Sequence, residues 1–339
     1  MQLNYMNTTV SPEQTVILGN DVFDRIAPFK GEDLPSCICF LDEKRGWIGG
    51  AKGTVWNSFN GGYEWSPQKI NTSATIVKIT MDGKFGALVT DKDEVWLTED
   101  QGISWHKAAV SDEYMRKVYV FQNHIWLACY SYTLTYPDKN QVPVEADAHL
   151  LYWDRNPANA WKNIPLNNFL YVVGMQVRDA NNWLVCGDRM IVHTQDNGAT
   201  LNLLGTAAPA GTSITTFEML DYKIGYSVYS SGLLSNPAVQ QTKDGCKTWR
   251  YQQELYDYDK YRLGFRDEKN GYIFCERYDS STNTATLIWN TSNSGRKWTR
   301  LELSGFELQD LFCQKETGKA WFLFKDKKAP YVLIFKNQS

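Results

Sequence analysis

The sequence predicts an all-β protein made of repeated four-stranded sheets arranged in a ring, a β-propeller. A short motif recurs along the chain, mostly at intervals of about 40–50 residues, which is typical of propeller repeats. The segments between its copies are apolar runs of strand length bounded by Gly, Asn and Asp. Aromatic residues, which favour pleated sheet, make up 14% of the 339 residues. No segment predicts a long helix.

The recurring motif is Ser/Thr-x-Asp/Asn-x-Gly-x-x-Trp. Its copies span residues 58–65, 98–105, 194–201, 242–249 and 291–298. The third copy has Leu201 in place of Trp, and the fourth has Cys246 in place of Gly. A cryptic unit around Trp161 fills the long gap between the second and third copies.

These residues resemble the Asp-box (BNR) repeat of sialidases and of many non-catalytic propellers. We expect the Asp or Asn side chain to bind backbone N–H groups across a turn, and the Gly to adopt a positive φ. The Trp is expected to pack between neighbouring sheets. The acids of the motif are therefore interpreted as structural. The residues assigned to this role are Asn60, Gly62, Trp65, Asp100, Gly102, Trp105, Asp196, Gly198, Asp244, Trp249, Asn293, Gly295 and Trp298.

The repeats predict seven blades within one domain that covers residues 1–339. Six blades follow from the motifs, at residues 37–70, 74–110, 115–166, 169–206, 213–254 and 261–304. Three strands remain after Trp298, so the N-terminal segment NDVFDRIAPF is expected to supply the fourth strand of a seventh blade. This arrangement closes the ring and leaves no unpaired edge between the chain ends. Six blades with a decorated terminus is the alternative, and residues 1–15 are expected to be a flexible segment.

Blade one carries a more specific resemblance. Its segments 46–49 (GWIG), 53–56 (GTVW) and 60–62 (NGG), followed by Trp65, are similar to the repeats of the Ycf48-like propellers, typified by photosystem II assembly factors. The match is good in blade one and loose elsewhere. It implies the propeller fold and suggests an assembly factor, although a shared fold does not by itself define a function.

Three elaborated loops predict a partner-binding face. If the strands of each blade are named A to D from the channel outward, the B–C and D–A loops share one face. The long connections at residues 131–148, 254–262 and 277–283 all belong to it. Tyr and Arg are common interface anchors, although local packing of the loop tyrosines is an equal alternative. The candidate partner-binding residues are Tyr132, Tyr136, Asp138, Tyr256, Asp257, Tyr258, Tyr261, Arg262, Arg277 and Tyr278.

A sialidase-like glycoside hydrolase is the main enzymatic alternative. That chemistry needs an arginine cluster, a Tyr nucleophile assisted by Glu, and an acid. Segment 23–28 (FDRIAP) only partly matches the sialidase arginine motif, although Arg116, Arg262 and Arg266 fall in or near first strands. A carbohydrate-binding propeller is a further alternative, but most Trp residues fall in motif or strand positions.

No cofactor or metal site is predicted. The four histidines occur in no metal-binding or catalytic motif, and no nucleotide-binding loop is found. The seven cysteines form no CxxC pair, and six lie in apolar strand-like runs. They are interpreted as small buried apolar residues, which favours a reducing compartment.

Charge and hydropathy limit the choice of partner. The net charge of −3 and the lack of a basic run argue against nucleic acid. The N-terminus does not resemble a signal peptide, and no apolar stretch approaches membrane-spanning length. We therefore predict a soluble cytoplasmic monomer, or a periplasmic one if a leader precedes the chain. Its predicted partner is another protein, which it binds as an assembly factor or as a bacterial immunity protein that neutralises a toxin.

Overall fold

The computed structural model consists of strands and short connections grouped into seven antiparallel sheets. It describes residues 15–18, 21–27, 29, 34–110, 114–134, 144–156, 158–206, 208–230, 237–255, 260–277, 285–304, 306–326 and 330–336. The first strands of successive blades pack around a central channel. Within the described ranges the only helical element is a short 3-10 turn at Ala51–Gly53.

Blades one to three follow each other along the chain, each running from the channel outward. Blade one contains β3 (Pro35–Phe40), β4 (Gly46–Gly50), β5 (Thr54–Ser58) and β6 (Ser66–Lys69). Blade two contains β7 (Ile76–Asp82), β8 (Phe85–Thr90), β9 (Val95–Thr98) and β10 (His106–Lys107). Blade three contains β11 (Lys117–Phe121), β12 (His124–Leu134), β13 (Val144–Trp153) and β14 (Lys162–Pro165).

Blades four to six repeat the same order. Blade four contains β15 (Val172–Val177), β16 (Trp183–Gly187), β17 (Met190–Thr194) and β18 (Asn202–Thr206). Blade five contains β19 (Ser213–Met219), β20 (Gly225–Ser230), β21 (Ala238–Thr242) and β22 (Arg250–Glu254). Blade six contains β23 (Lys260–Phe265), β24 (Gly271–Arg277), β25 (Ala285–Thr291) and β26 (Thr299–Ser304).

Blade seven joins the two ends of the chain. Its first three strands are β27 (Phe306–Gln314), β28 (Lys319–Asp326) and β29 (Pro330–Lys336), and β2 (Asp21–Ile26) pairs antiparallel with β29. The seven-blade prediction and the N-terminal closing strand are therefore confirmed. A fifth strand that the sequence did not predict, β1 (Thr15–Leu18), pairs with the outer side of β2. Of residues 1–15, predicted to be flexible, Thr15 begins β1, and residues 1–14 lie outside the described part of the chain.

Burial follows strand position within each blade. The second and third strands of blade one are almost wholly buried, whereas its fourth strand is mostly exposed. Blade two shows the same gradient. These middle strands are covered on both faces by the neighbouring blades, so most of their residues are apolar or glycine and the alternation of a half-exposed strand is lost. The hydrophobic cores therefore lie between blades, in interfaces that we call seams and number by the two blades that they join.

The Asp-box turns have the geometry that the sequence predicts. In all five copies the hydroxyl at the first position accepts a hydrogen bond from the N–H at the fifth, at 2.8–3.0 Å. The Oδ1 atom of the Asp or Asn accepts from the N–H at the seventh, at 2.8–2.9 Å. These bonds satisfy the backbone of the turn locally, which accounts for the residues of the motif as stabilisers of the fold.

The cryptic unit of blade three uses a different turn. The Asp154 carboxylate accepts from the Asn156 N–H at 3.0 Å and from the Asn159 amide at 2.7 Å. Trp161 packs against Trp153 with ring centroids 5.5 Å apart. Arg155, at a positive φ, places its guanidinium 3.5 Å from the centre of the Phe85 ring across seam 2/3. Blade three thus joins blade two through an arginine at this turn.

The first strands of the blades, which line the channel and are here called the inner strands, carry a repeated irregularity. Five of them have a β-bulge at the same register position, and the extra residues are Ser36, Val77, Val173, Thr215 and Gln309. All five residues line the channel. A bulge adds one residue to a strand and re-aims its side chains, so these strands present more residues to the channel than regular pleating would.

Candidate functional site: a cationic layer in the central channel

One register position of the inner strands forms a ring of residues around the channel. In blade one this position is held by Cys37, which pairs with Gly49 of the second strand, two residues after the buried Trp47. In each other blade it is the first-strand residue that pairs with the equivalent residue of the second strand. The residues at this position, from blade one to blade seven, are Cys37, Lys78, Lys117, Gly174, Thr216, Arg262 and Asp310. We call this set the channel layer. Cys37 is turned into seam 1/2, and Ser36 lines the channel in its place.

The channel layer contains three cations and one anion. The ammonium of Lys78 lies 3.4 Å from the Asp310 carboxylate. That carboxylate also accepts a hydrogen bond from the Ile38 N–H at 3.1 Å. Attraction by Asp310 raises the pKa of Lys78 above its usual range. Asp310 therefore already pairs with Lys78 and accepts a bond from blade one. Within this layer Lys117 and Arg262 have no other acid to pair with.

Lys117 is held in an unfavourable setting for a cation. Its Nζ donates to the Val173 carbonyl of the next blade. Burial, together with the nearby charges of Lys78 and Arg262, lowers the Lys117 pKa to about 8. A charge that is destabilised by desolvation and by like charges gains when an anion approaches. The channel layer is therefore an electrostatic site for a negative group.

The space around the channel layer is a cavity of about 390 Å³, large enough for a small ligand or a chain terminus. Arg262 is exposed and donates to the Gln309 carbonyl at 3.3 Å. Arg116 lines the same cavity and pairs with Asp93 at 2.8 Å. These residues lie at or near the starts of their inner strands, so the cavity opens towards the face that carries the D–A and B–C loops.

The other half of the channel holds a compensated ion pair. Glu218 lies 3.1 Å from Lys315 and accepts from the Phe265 N–H at 3.1 Å. Burial raises the pKa of Glu218, although Lys315 acts in the opposite direction. This group connects blades five, six and seven and adds no net charge, so the positive potential of the channel comes from the channel layer.

The predicted partner-binding residues are only partly described. Tyr136, Asp138, Tyr256, Asp257, Tyr258 and Tyr278 lie outside the described residues. For Tyr132 and Arg277 the backbone is described: Tyr132 pairs with Ala146 in a long β12–β13 hairpin, and Arg277 pairs with Ala285 at the end of β24. Both positions lie at the end of their blades where the inner strands start.

Two predicted residues are fully described, and they differ. Arg262 lies in the channel layer, as an exposed cation at the predicted face. Tyr261 is only 4% exposed and packs in the core of seam 5/6 with Val239 and Leu287. Tyr261 also contributes to the lining of the channel cavity, beside Arg262.

Sequence reasoning missed Lys78, Lys117 and Asp310. The available signal was a single charged residue within an otherwise apolar first strand, as in Ile76–Ile79 (IVKI). In a propeller such a residue can reach water only through the channel. The bulges obscure the signal because they shift the alternation by one residue.

The arginines considered for a sialidase-like centre do not converge. Arg116 and Arg262 line the channel cavity, but Arg266 pairs with Asp21 at 3.0 Å and lies 4.1 Å from the centre of the Phe335 ring. Arg266 therefore links blade six to the closing strand through its ion pair with Asp21. Arg25, from segment 23–28, lies 4.2 Å from the centre of the Tyr331 ring within blade seven.

The cysteines have the character of core residues. All seven are free, and six are buried. Burial raises the pKa of Cys37 to about 12 and that of Cys39 to about 11, so neither is a thiolate near neutral pH. In the described part of the chain no three His, Cys, Asp or Glu residues are grouped to hold a metal ion. The described residues also include no helix of the length and hydropathy that a membrane span requires.

Comparisons with known proteins agree with this architecture. Residues 26–120, which contain blades one and two and most of the first strand of blade three, match the family described as photosynthesis system II assembly factor YCF48. No curated protein sequence matches the chain.

Solved structures match over nearly the whole chain at low identity. A structure described as YCF48 bound to D1 peptide has a TM-score of 0.63 and 10% identity, covering 99% of this chain and 100% of its own. YCF48 from Cyanidioschyzon merolae has a TM-score of 0.62 and 12% identity, covering 92% of this chain and 98% of its own. The WD40 propeller domain of Doa1 has a TM-score of 0.61 and 13% identity, covering 94% of this chain and 98% of its own. At these identities the structural likeness concerns the fold, a seven-bladed β-propeller. The sequence match adds that residues 26–120 are similar to the YCF48 family.

Proposed function

We propose that this chain is a non-catalytic propeller that binds a partner protein through an acidic or carboxylate-bearing segment at the mouth of its channel. The observation that carries the proposal is the channel layer, in which Lys117 and Arg262 face a cavity and pair with no acid among the described residues. A rigid concave site that presents two such cations is suited to binding a carboxylate.

Two further observations support a protein partner. The long β12–β13 hairpin extends blade three on the face where the cavity opens, so it offers additional surface beside the cations. A structural relative of the same fold is described as bound to a peptide. The cationic layer favours an assembly-factor type of binding over the neutralisation of a toxin by an acidic contact face.

The test measures binding of labelled peptides by fluorescence anisotropy at pH 7. The probe is a Glu/Gly peptide with a free C-terminal carboxylate, and a Lys/Gly peptide of equal length is the comparison. We expect only the acidic probe to bind. The double variant Lys117→Gln/Arg262→Gln should weaken its binding by about tenfold or more, because two close charge contacts are lost.

A charge-matched control separates this site from general attraction. Lys243 and Lys297 are exposed next to the Asp-box turns, on the opposite face. Lys243→Gln/Lys297→Gln changes the net charge equally and should leave the affinity within about twofold. Equal losses in the two double variants would refute the channel as the binding site.

The pH dependence gives a second readout. Because burial and like charges lower the Lys117 pKa to about 8, the lysine loses its charge as the pH rises through that value. We expect affinity for the acidic probe to be highest below pH 8 and to fall between pH 7 and 9. Lys117→Gln should flatten this profile, whereas an unchanged profile would exclude Lys117 from binding.

A further inference from the structure

Seam 4/5 lacks a contact that seams 1/2, 5/6 and 7/1 share, and this difference suggests a second binding site, on the Asp-box face. We call these three seams the sister seams. In blades one, five and seven, an aromatic residue at a shared position of the second strand reaches into the next blade. Trp47 and Tyr226 each pair with the residue just before the Asp-box of their own blade. In blade four the residue at this register position, paired with His193 before Thr194, is Leu184.

The aromatics of blades one, five and seven all make the same bond, whereas Trp126 of blade three and Tyr272 of blade six occupy the position without making it. Each of the three donates to the backbone carbonyl at the fourth position of the next Asp-box. Trp47 donates to Gln101 at 3.2 Å, Tyr226 to Ser294 at 2.9 Å, and Trp321 of blade seven to Gly61 at 2.8 Å. Leu184 has no donor, so it cannot make the equivalent bond to Gly245 of blade five.

A cavity of about 360 Å³ lies at this point of seam 4/5. Leu184, Trp183 and Leu204 give it apolar walls, and Gly245 lies in its lining. Tyr222 is half exposed, and the Arg178 guanidinium lies 3.4 Å from the centre of its ring. The cavity therefore combines an aliphatic wall, a stacked Arg–Tyr platform and the turn that accepts an indole or phenol donor elsewhere in the ring.

Part of the space left by the missing aromatic is already filled. Cys246 stands where the other turns have Gly, and its fully buried Sγ lies 3.4 Å from the Met219 Sδ. Neither residue lines the cavity; both belong to the buried cluster that also contains Leu184. The space beside the turn is left open at the surface.

We propose that this cavity binds a planar aromatic ring that carries an N–H donor, an indole-type group, which replaces the side chain absent at Leu184. The apolar walls and the Arg178–Tyr222 platform favour a flat ring, since aromatic and cation–π contacts are strengthened by partial burial. The donor of the ring is directed to the Gly245 turn, as the donors of the built-in aromatics are in the sister seams. This site is independent of the channel and of the function proposed for it.

The test uses 5-fluoroindole observed by fluorine NMR, because the intrinsic fluorescence of 13 tryptophans would obscure an optical signal. We expect saturable broadening or a shift with the wild-type chain. The double variant Leu184→Trp/Cys246→Gly restores the residues of the sister seams and should abolish this signal. The absence of saturable binding to wild type, or equal binding by the double variant, would overturn the proposal.

A second pair of variants avoids the core. Tyr222→Ser removes the platform from the cavity surface and should weaken binding by about tenfold. Tyr251→Ser is the matched control, because Tyr251 is an exposed tyrosine of the same blade outside the cavity lining. Equal effects of the two substitutions would contradict the site.

A further probe identifies the source of the ring. N-acetyl-tryptophanamide presents the indole as a polypeptide would. Binding of this probe as well as 5-fluoroindole indicates a tryptophan of a protein, and binding of 5-fluoroindole alone indicates a free small molecule. Both results support the indole site, and neither bears on the channel layer.

Discussion

Seams 1/2 and 4/5 occupy the same register positions but are filled by different side chains. In seam 1/2 the Trp47 indole lies so close to Gly102 that a Cβ there would come within 2.5 Å of its Nε1. In seam 4/5 the aromatic is replaced by Leu184, and the Gly is replaced by Cys246, which adopts a φ of 72°. The two replacements are complementary, because a side chain at the turn is tolerated only where the neighbouring blade no longer covers it.

The comparison also separates the two roles of the Asp-box. Its hydrogen bonds are the same in both seams: the Cys246 N–H donates to Thr242 as the Gly102 N–H donates to Thr98. The local turn therefore survives without the aromatic contact. The motif stabilises the turn by itself, and the contact between blades is a separate interaction.

The largest expected effect comes from removing an aromatic of a regular seam. Trp321 is 1% exposed, stacks on Phe40 at 3.8 Å and bonds to Gly61. Trp321→Ala should lower the free energy of unfolding by about 3–5 kcal/mol, since it leaves a large cavity. Denaturant titration would measure this. A loss below that of Leu184→Ala in seam 4/5 would show that the aromatic seams are not the stronger ones.

A smaller effect tests whether Gly is required only in the regular seams. Gly102→Ala places a methyl group against Trp47 at a left-handed φ of 77°, and should cost about 2 kcal/mol or more. Cys246→Ala keeps the Cβ that its seam already accommodates and loses only the buried sulfur, at about 1 kcal/mol. Thermal and denaturant midpoints of the two variants would check the order. The reverse order would contradict the complementarity of the two replacements.

The smallest effect concerns acid stability. Bonds from the Thr248 hydroxyl and N–H lower the pKa of Asp244 to about 2, so its native carboxylate stabilises the turn above the unfolded pKa and stops doing so as pH falls through about 2. Blades one and six carry Asn60 and Asn293 at the same position and have no such dependence. Asp244→Asn should therefore reduce the slope of stability against pH between about 4 and 2.

The converse substitution completes this test. Asn293→Asp should increase the same slope, because the new carboxylate keeps the Thr291 hydroxyl and the Lys297 N–H as donors; the increase should be smaller than the loss in Asp244→Asn, since Lys297 has no hydroxyl. Denaturant midpoints at several pH values would measure both slopes. Identical acid sensitivity in wild type and both variants would show that these carboxylates do not contribute.

The fold could be predicted in detail because its determinants are local. The Asp-box turns are specified by a few residues each, and the closing strand was recognisable because three strands after Trp298 lacked a fourth. The fifth strand, β1, was missed since four residues with alternating burial are too short a signal. The channel layer was missed for a different reason: Lys78 and Asp310 come together across 232 positions, and bulges shift the register of their strands. The site at seam 4/5 depends on an absent aromatic, which only the strand register reveals.

The bulges of the inner strands also bear on how such a ring can diverge. In blade two the successive residues Val77 and Lys78 line the channel, whereas their neighbours Ile76 and Ile79 are buried in a seam. Substitutions at the channel-facing residues therefore leave most of the contacts between blades intact. The lining can change its charge in single steps while the blades stay assembled, so one scaffold can acquire new specificities without first losing stability.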